Sequence, residues 1–291
     1  MSRLRLVLCL LLVATAGRLA AQSCVWKVSQ KGHVLFLGGT IHVLRKSDLP
    51  PPPEYDTAFA AASALYFETD IARLQSPETL GILMKEGVYP EGQSLQTVIS
   101  PEAWKAVQDY CKDASLPAEM MERFKPWMFV MNVSALEMQK VGVSEQGIDF
   151  LYYQKATEAG KTVAGLESYE TQMGFLTNLG AGHESEMVLQ ELKELGRTRE
   201  LLENMIASWR AGDLDKIDDL LSKEMRTESP EIYDELIVQR NRNWLPELEE
   251  MLRSEPVEFV LVGAGHLAGK DGLIAALKKR GCAIEQIVAS R

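Results

Sequence analysis

His42 and His266 each stand at the end of an apolar run that breaks on glycine. Val34-Leu35-Phe36-Leu37 leads into Gly38-Gly39-Thr40-Ile41-His42, and Val257 to Val262 leads into Gly263-Ala264-Gly265-His266. Glu68 follows the run Ala64-Leu65-Tyr66-Phe67, and Glu167 follows Thr162-Val163-Ala164-Gly165-Leu166. All four groups sit at or just beyond the C-terminal end of a predicted strand, where open α/β sheets form their sites. Glycine allows the tight turn and leaves room for a ligand to approach. Two imidazoles with one or two carboxylates suit a divalent metal such as zinc, manganese or cobalt. Such an ion lowers the pKa of bound water and polarises a carbonyl. One carboxylate can instead serve as general base. Period-two alternation puts Tyr66, Glu68 and Asp70 on one face, so Asp70 can join Glu68. The competing reading is two unrelated loop histidines that cap backbone groups.

The tetrapeptide alone is not specific, because Gly180-Ala181-Gly182-His183 repeats the pattern of 263–266. It follows an apolar helical stretch and precedes Glu184 and Glu186, so its glycines read as a helix C-cap and turn, with His183 on the surface. Strand context separates the other two motifs from this one. His33 begins a strand beside a turn and is expected to be exposed. Arg240-Asn241-Arg242-Asn243-Trp244 lies in a helical pattern, with Arg240, Asn243 and Trp244 on a shared face. There Arg240 can hold a substrate carboxylate or an oxyanion, or can simply pair with a buried acid. Trp127-Met128-Phe129-Val130-Met131 reads as core, with groove lining as the alternative. No Gly-x-Ser-x-Gly is present, which leaves a serine-hydrolase elbow without support.

The elements that must position these residues follow from periodicity. Cys24 to Ser29 and His33 to Leu37 form a hairpin around Gln30-Lys31-Gly32. A helix over 54–62, a strand over 64–68 and a long helical region from about 76 to 254 come next. Within that region, single helices are predicted over 119–141 and 231–252, the latter with Pro246 opening its second part. One strand, 162–166, interrupts it. A strand over 257–262, a helix over 271–280 and a strand over 283–288 close the chain. The expected fold is α/β: a β-sheet core drawn from the N- and C-terminal segments, with a large helical insertion, in one domain over 22–291.

The first 21 residues are set apart. Arg3 and Arg5 precede the apolar run Leu6–Ala14, and Leu19-Ala20-Ala21 offers a small-residue cleavage site, which reads as a secretory signal peptide. The expected location is periplasmic or secreted, with no integral membrane segment in the mature chain. Formal charge is −10 over the 291 residues. Cleavage would remove Arg3, Arg5 and Arg18 and no acids, leaving −13. An acidic chain without a basic stripe is a poor partner for nucleic acid or anionic membrane. Cys24, Cys111 and Cys282 would remain, as either a 24–282 disulfide with one thiol over or three buried thiols. No Cys-x-x-Cys suggests a structural zinc site.

Taken in order, six blocks resemble the TraB/PrgY/GumN family, which includes the Tiki-type proteases. They are Leu37–His42, Tyr66–Asp70, Gly147-Ile148-Asp149, Gly165-Leu166-Glu167 with Gln172, Arg240–Trp244 and Val262–Leu267. The resemblance spans roughly residues 25 to 290. It implies an α/β fold like that of erythromycin esterases and haem-binding ChaN-type lipoproteins, and divalent-metal-dependent peptide hydrolysis as in Tiki-type members. Carried over by position, the metal ligands would be His42, Glu68 and His266. Glu68, Glu167 and Arg240 would be catalytic, with Asp70 or Glu167 completing the shell or acting as base. The substrate would be a peptide or protein. The alternatives are a metal-independent esterase-like hydrolase and a non-enzymatic haem- or iron-binding protein.

Overall fold

The computed structural model describes residues 22–288, so the predicted signal peptide lies outside the described residues. Among the described residues there are eight strands: β1 Gln22–Gln30, β2 His33–Thr40, β3 Val43–Arg45, β4 Ala64–Phe67, β5 Val143–Gln146, β6 Thr162–Gly165, β7 Glu258–Gly263 and β8 Ala283–Val288. Six of them make one mixed sheet in the order β6-β4-β7-β2-β1-β8. The β6-β4-β7-β2 half is parallel, and β1 pairs antiparallel with both β2 and β8. The β1–β2 hairpin turns on Lys31 and Gly32, with φ of 51° and 94°; that left-handed pair suits a two-residue hairpin and explains the glycine.

β7 is apolar from Phe259 to Val262 because both of its faces are covered. Alternation sends Phe259 and Leu261 one way and Val260 and Val262 the other, and all four are buried. On the Phe259 side, Tyr55 of helix Pro53–Ala61 and Tyr152 of helix Ile148–Glu158 pack ring against ring. Trp209 of helix Thr198–Ala211 joins them and donates to Gly39 O at 2.8 Å. The helical insertion carries a separate apolar core around Leu95, Trp104, Val107, Phe129, Val133 and Val188. Trp127, Met128 and Phe129 are buried, as the core reading expects, but Val130 is half-buried and lines a groove, and Met131 is exposed.

The expected α/β architecture holds, with a sheet from the outer segments and an inserted helical layer. Several details differ. The helix expected over 119–141 is two, Ala118–Glu122 and Pro126–Lys140, because Pro126 cannot continue a helix but can begin one. The helix over 231–252 runs through Pro246 and is irregular earlier, with π-turns over Asp234–Gln239. β3 and β5 form an additional two-stranded pair. Cys24, Cys111 and Cys282 are all free and buried, so no 24–282 disulfide is present. His33 is half-buried rather than exposed, bonded through Nδ1 to Ser254 O at 2.6 Å. Among the described residues, no helix is long and apolar enough to cross a membrane.

Candidate functional site

The parallel half of the sheet delivers its C-terminal ends to one place. β2 ends two residues before His42, β4 ends one residue before Glu68, β6 ends two residues before Glu167, and β7 turns directly into Ala264–Leu267 with His266. Adjacent strands therefore bring together His42, Glu68 and His266, although 224 positions separate the two histidines.

Arg240 ties this cluster together from the start of helix Arg240–Met251. Its Nη2 donates to Glu68 Oε2 at 2.6 Å and to Glu167 Oε1 at 2.7 Å. Its Nη1 approaches His266 Nε2 at 3.2 Å. Trp244, one turn further on, donates from Nε1 to Glu167 Oε2 at 3.1 Å and packs its ring 4.6 Å from that of His266. Glu68 is further held by the Gly263 amide, which donates to Oε1 at 2.7 Å. Both readings of Arg240 thus coincide: it pairs with buried acids, and those acids are the candidate site.

Each histidine is oriented from behind. Asn241 Nδ2 donates to two backbone carbonyls, His266 O at 3.1 Å and Asp271 O at 3.0 Å, so its Oδ1 must be the acceptor facing His266 Nδ1 at 2.8 Å. His266 therefore carries its proton on Nδ1 and offers a lone pair at Nε2. Asp149 plays the corresponding part for His42, with Oδ1 3.3 Å from Nδ1. The β3–β5 pair makes that contact possible. Gly147, directly after β5, lies so close to Ile41 and His42 that a Cβ there would meet Ile41 O at 2.1 Å.

The charges separate accordingly. Burial opposes the charge on Glu68, yet the His266 ring (when protonated at low pH), the Arg240 guanidinium, the protonated His42 and the Gly263 amide hold its carboxyl far below the usual range. Burial raises Glu167, only partly offset by its bonds from Arg240. Desolvation lowers His266 to about 4, so the ring is neutral at pH 7. For His42, desolvation is outweighed by the Asp149 bond and the charges of Asp149 and Glu68, which raise it to about 9. Its side chain is 61 % exposed, so solvent screens part of that pull. Two carboxylates and two imidazoles thus sit in environments that push their proton affinities apart.

Asp70 does not join Glu68. It is exposed and caps helix Ile71–Leu74, accepting from Arg73 N at 3.1 Å. The alternation that placed it on the Glu68 face stops at Phe67, where β4 ends. Asn243 likewise faces solvent, and Asn241 is the buried asparagine. His183 is on the surface, between Glu186 and Glu231. Asp149 and Asn241 lie within the family-like blocks, but nothing in local periodicity marks them as partners of the histidines.

A divalent ion, implied by the family resemblance, can be tested against these donors. Gly263 lacks a side chain where a Cβ would lie 3.2 Å from Glu68 Oε1, 3.3 Å from His42 Nε2 and 3.7 Å from the His266 ring. The resulting hollow is lined by the donor types that zinc and manganese accept. Both imidazoles are backed on Nδ1 by an oxygen, as metal-bound histidines are. In kind, the residues fit. In spacing, Arg240 stands on Glu68 Oε2 and His266 Nε2, and among the described residues no three His, Cys, Asp or Glu side chains gather at metal-ligand distances.

The TraB/PrgY/gumN family matches residues 24–286. The uncharacterized protein YbaP of Escherichia coli is 27 % identical over 82 % of this chain and 86 % of its own length. Metalloprotease TIKI1 of Xenopus tropicalis is 24 % identical over 92 % of this chain and 62 % of its own. Metalloprotease TIKI1 of Homo sapiens is 25 % identical over 92 % and 63 %. No solved structure matches the chain.

Proposed function

The chain belongs to the TraB/PrgY/gumN family, and from that premise we propose that it is an exported, metal-dependent hydrolase acting on a peptide or protein. The relatives named as metalloproteases support the reaction class. The signal-peptide-like composition of residues 1–21 supports export. One observation carries the reading: His42 Nε2, Glu68 Oε1 and the His266 ring converge on the hollow left by Gly263.

His42, Glu68 and His266 would hold the ion. When bound, it would polarise the scissile carbonyl and make water a stronger acid. The chain's own residues do the rest. Asn241 and Asp149 keep both imidazole Nε2 atoms turned inward. Glu167 and Trp244 clamp Arg240, which keeps Glu68 ionised and lies where it can meet a developing negative charge. His42, open to solvent on its other side, stands at the solvent edge of the cluster, where a substrate can approach.

The position of Arg240 favours a second reading, a hydrolase of the same residues working by acid–base chemistry without metal. One experiment separates the two. Mature protein, wild type beside His42→Ala and His266→Ala, is reloaded with manganese, cobalt or zinc. Metal content is then measured by mass spectrometry, and peptide hydrolysis before and after chelation. Near-stoichiometric metal lost in both variants, with hydrolysis that chelation stops, is the expected result. Hydrolysis that survives chelation would establish the acid–base route. Neither metal nor hydrolysis in any form would remove both.

A further inference from the structure

A groove of about 670 Å³ opens between helix Glu184–Glu194 on one side and the helices of residues 214–233 on the other. That volume lies within the range of ligand-sized sites. Its floor is apolar, including Met187, Leu201, Leu220, Met225 and Ile232. Methionines let such a floor adapt to different side chains. One lining residue borders the short helix Ala264–Leu267 that carries His266. That residue, Leu221, is 43 % exposed and puts Cδ1 3.2 Å from where a side chain on Gly265 would begin, next to His266.

The walls are acidic on both sides. Glu186, Glu191 and Glu194 come from the first helix, and Asp219, Glu224, Glu228 and Glu231 face them. Only Arg197 and His183 among the lining residues can carry positive charge, and both are already committed. Arg197 reaches Glu194 at 3.1 Å, and His183 reaches Glu186 at 2.8 Å and Glu231 at 3.2 Å. Asp219 is paired with Lys223 at 2.9 Å, whereas among the described residues Glu224 is met by the Gln190 amide at 3.2 Å and neither it nor Glu228 has an ion-pair partner. Glu191 is half-buried, bonded by the Ser134 hydroxyl, and burial raises its carboxyl pKa. Opposed rows of carboxylates over an apolar floor repel one another, and a cationic occupant relieves the repulsion.

We propose that this groove binds the substrate segment of the hydrolase described above, and that the segment is a cationic amphipathic peptide. Its apolar side chains would lie on the floor, with its lysines or arginines between the acidic walls. The inference rests on the hydrolase reading for turnover and on charge complementarity for recognition.

The test uses a fluorescent peptide built of lysine and leucine, its glutamate–leucine counterpart, and mature protein carrying Glu224→Lys with Glu228→Lys. Both sites are exposed on one face of helix Lys223–Glu228. The cationic peptide should bind wild type at least about tenfold tighter than its anionic counterpart, and the double charge reversal should weaken it by about tenfold. Added salt should weaken binding in wild type and less so in the variant. Circular dichroism melts, with Glu224→Gln and Glu228→Gln as milder companions, guard against misfolding. Equal binding of the two peptides, or binding that ignores the rim substitutions, would overturn the groove assignment. Cleavage of peptides without charge preference would do the same and leave the hydrolase standing. Tight, rim-dependent binding of the cationic peptide with no cleavage by wild type would keep the groove and sink the hydrolase.

Discussion

Asn241 has one acceptor and one donor group, and its surroundings fix which way each points. Two carbonyls claim the amino group, so only the oxygen is left for His266. That choice keeps the His266 Nε2 lone pair turned toward Arg240 and the Gly263 hollow. Asn241→Ala should lower kcat/KM by about 10- to 100-fold, as loss of an outer partner does at such sites. It should also cost about 1–3 kcal/mol, because buried polar atoms lose their partners. Asn241→Asp keeps an acceptor on Nδ1 and adds a negative charge, so it should recover part of the rate and move the acid limb of the pH–rate profile upward. Equal losses in both variants with an unmoved profile would reduce Asn241 to packing. The sequence favoured Asn243 over this residue because i, i+3, i+4 spacing groups it with Arg240 and Trp244. The buried face of helix Arg240–Met251 runs instead through Arg240, Asn241, Trp244, Leu245 and Leu248. The π-turns just upstream, over Asp234–Gln239, are a kind of irregularity often found next to functional sites.

The two-stranded β3–β5 pair is the element that equips His42. It lays the start of helix Ile148–Glu158 against the His42 turn, with Ile148 N donating to Ile41 O at 3.0 Å. Gly147 permits the contact, since a Cβ would sit 2.4–2.5 Å from the His42 backbone. Gly147→Ala must therefore push the strands apart. We expect a loss of about 1–3 kcal/mol, as for other overpacked sites, together with a fall in the His42 pKa as Asp149 withdraws. Urea unfolding and imidazole NMR titration would check the two effects, and a variant with wild-type stability and titration would contradict this packing. The contrast with the main sheet shows what was legible in the sequence. β2 and β7 announce themselves as apolar runs because the fold buries both of their faces. β3 and β5 are three and four residues long, and β5 reads Val143-Ser144-Glu145-Gln146, with no apolar period. Their pairing joins segments about a hundred positions apart, which no local pattern encodes. Asp149 went unassigned for the same reason, and Asp70 was over-read because alternation was carried past the end of β4.

At the scale of the whole molecule, an acidic chain of net charge −10 encloses a compact ionic cluster, and the cluster should govern how stability responds to acid. His266 is the informative group. Its pKa falls from 6.5 to about 4 on folding, so the unfolded chain binds more protons between those values. Its contribution is therefore complete above pH 6.5 and is lost as pH falls toward 4, by about 3 kcal/mol in all. Glu68 acts at lower pH. Its folded pKa is depressed, so its stabilisation holds above the ordinary carboxylate value of 4.5 and fades only below it. His42 has the opposite sign, raised to about 9, and its smaller, solvent-screened contribution is lost as pH rises through that value. Urea unfolding at pH 7.5, 5.5 and 4.5 should show wild type losing stability well before its carboxylates titrate. His266→Gln, though weaker at pH 7.5, should lose much less over the same interval. Parallel slopes for the two proteins would mean that His266 is not buried in neutral form, and the tautomer assigned through Asn241 would fall with it.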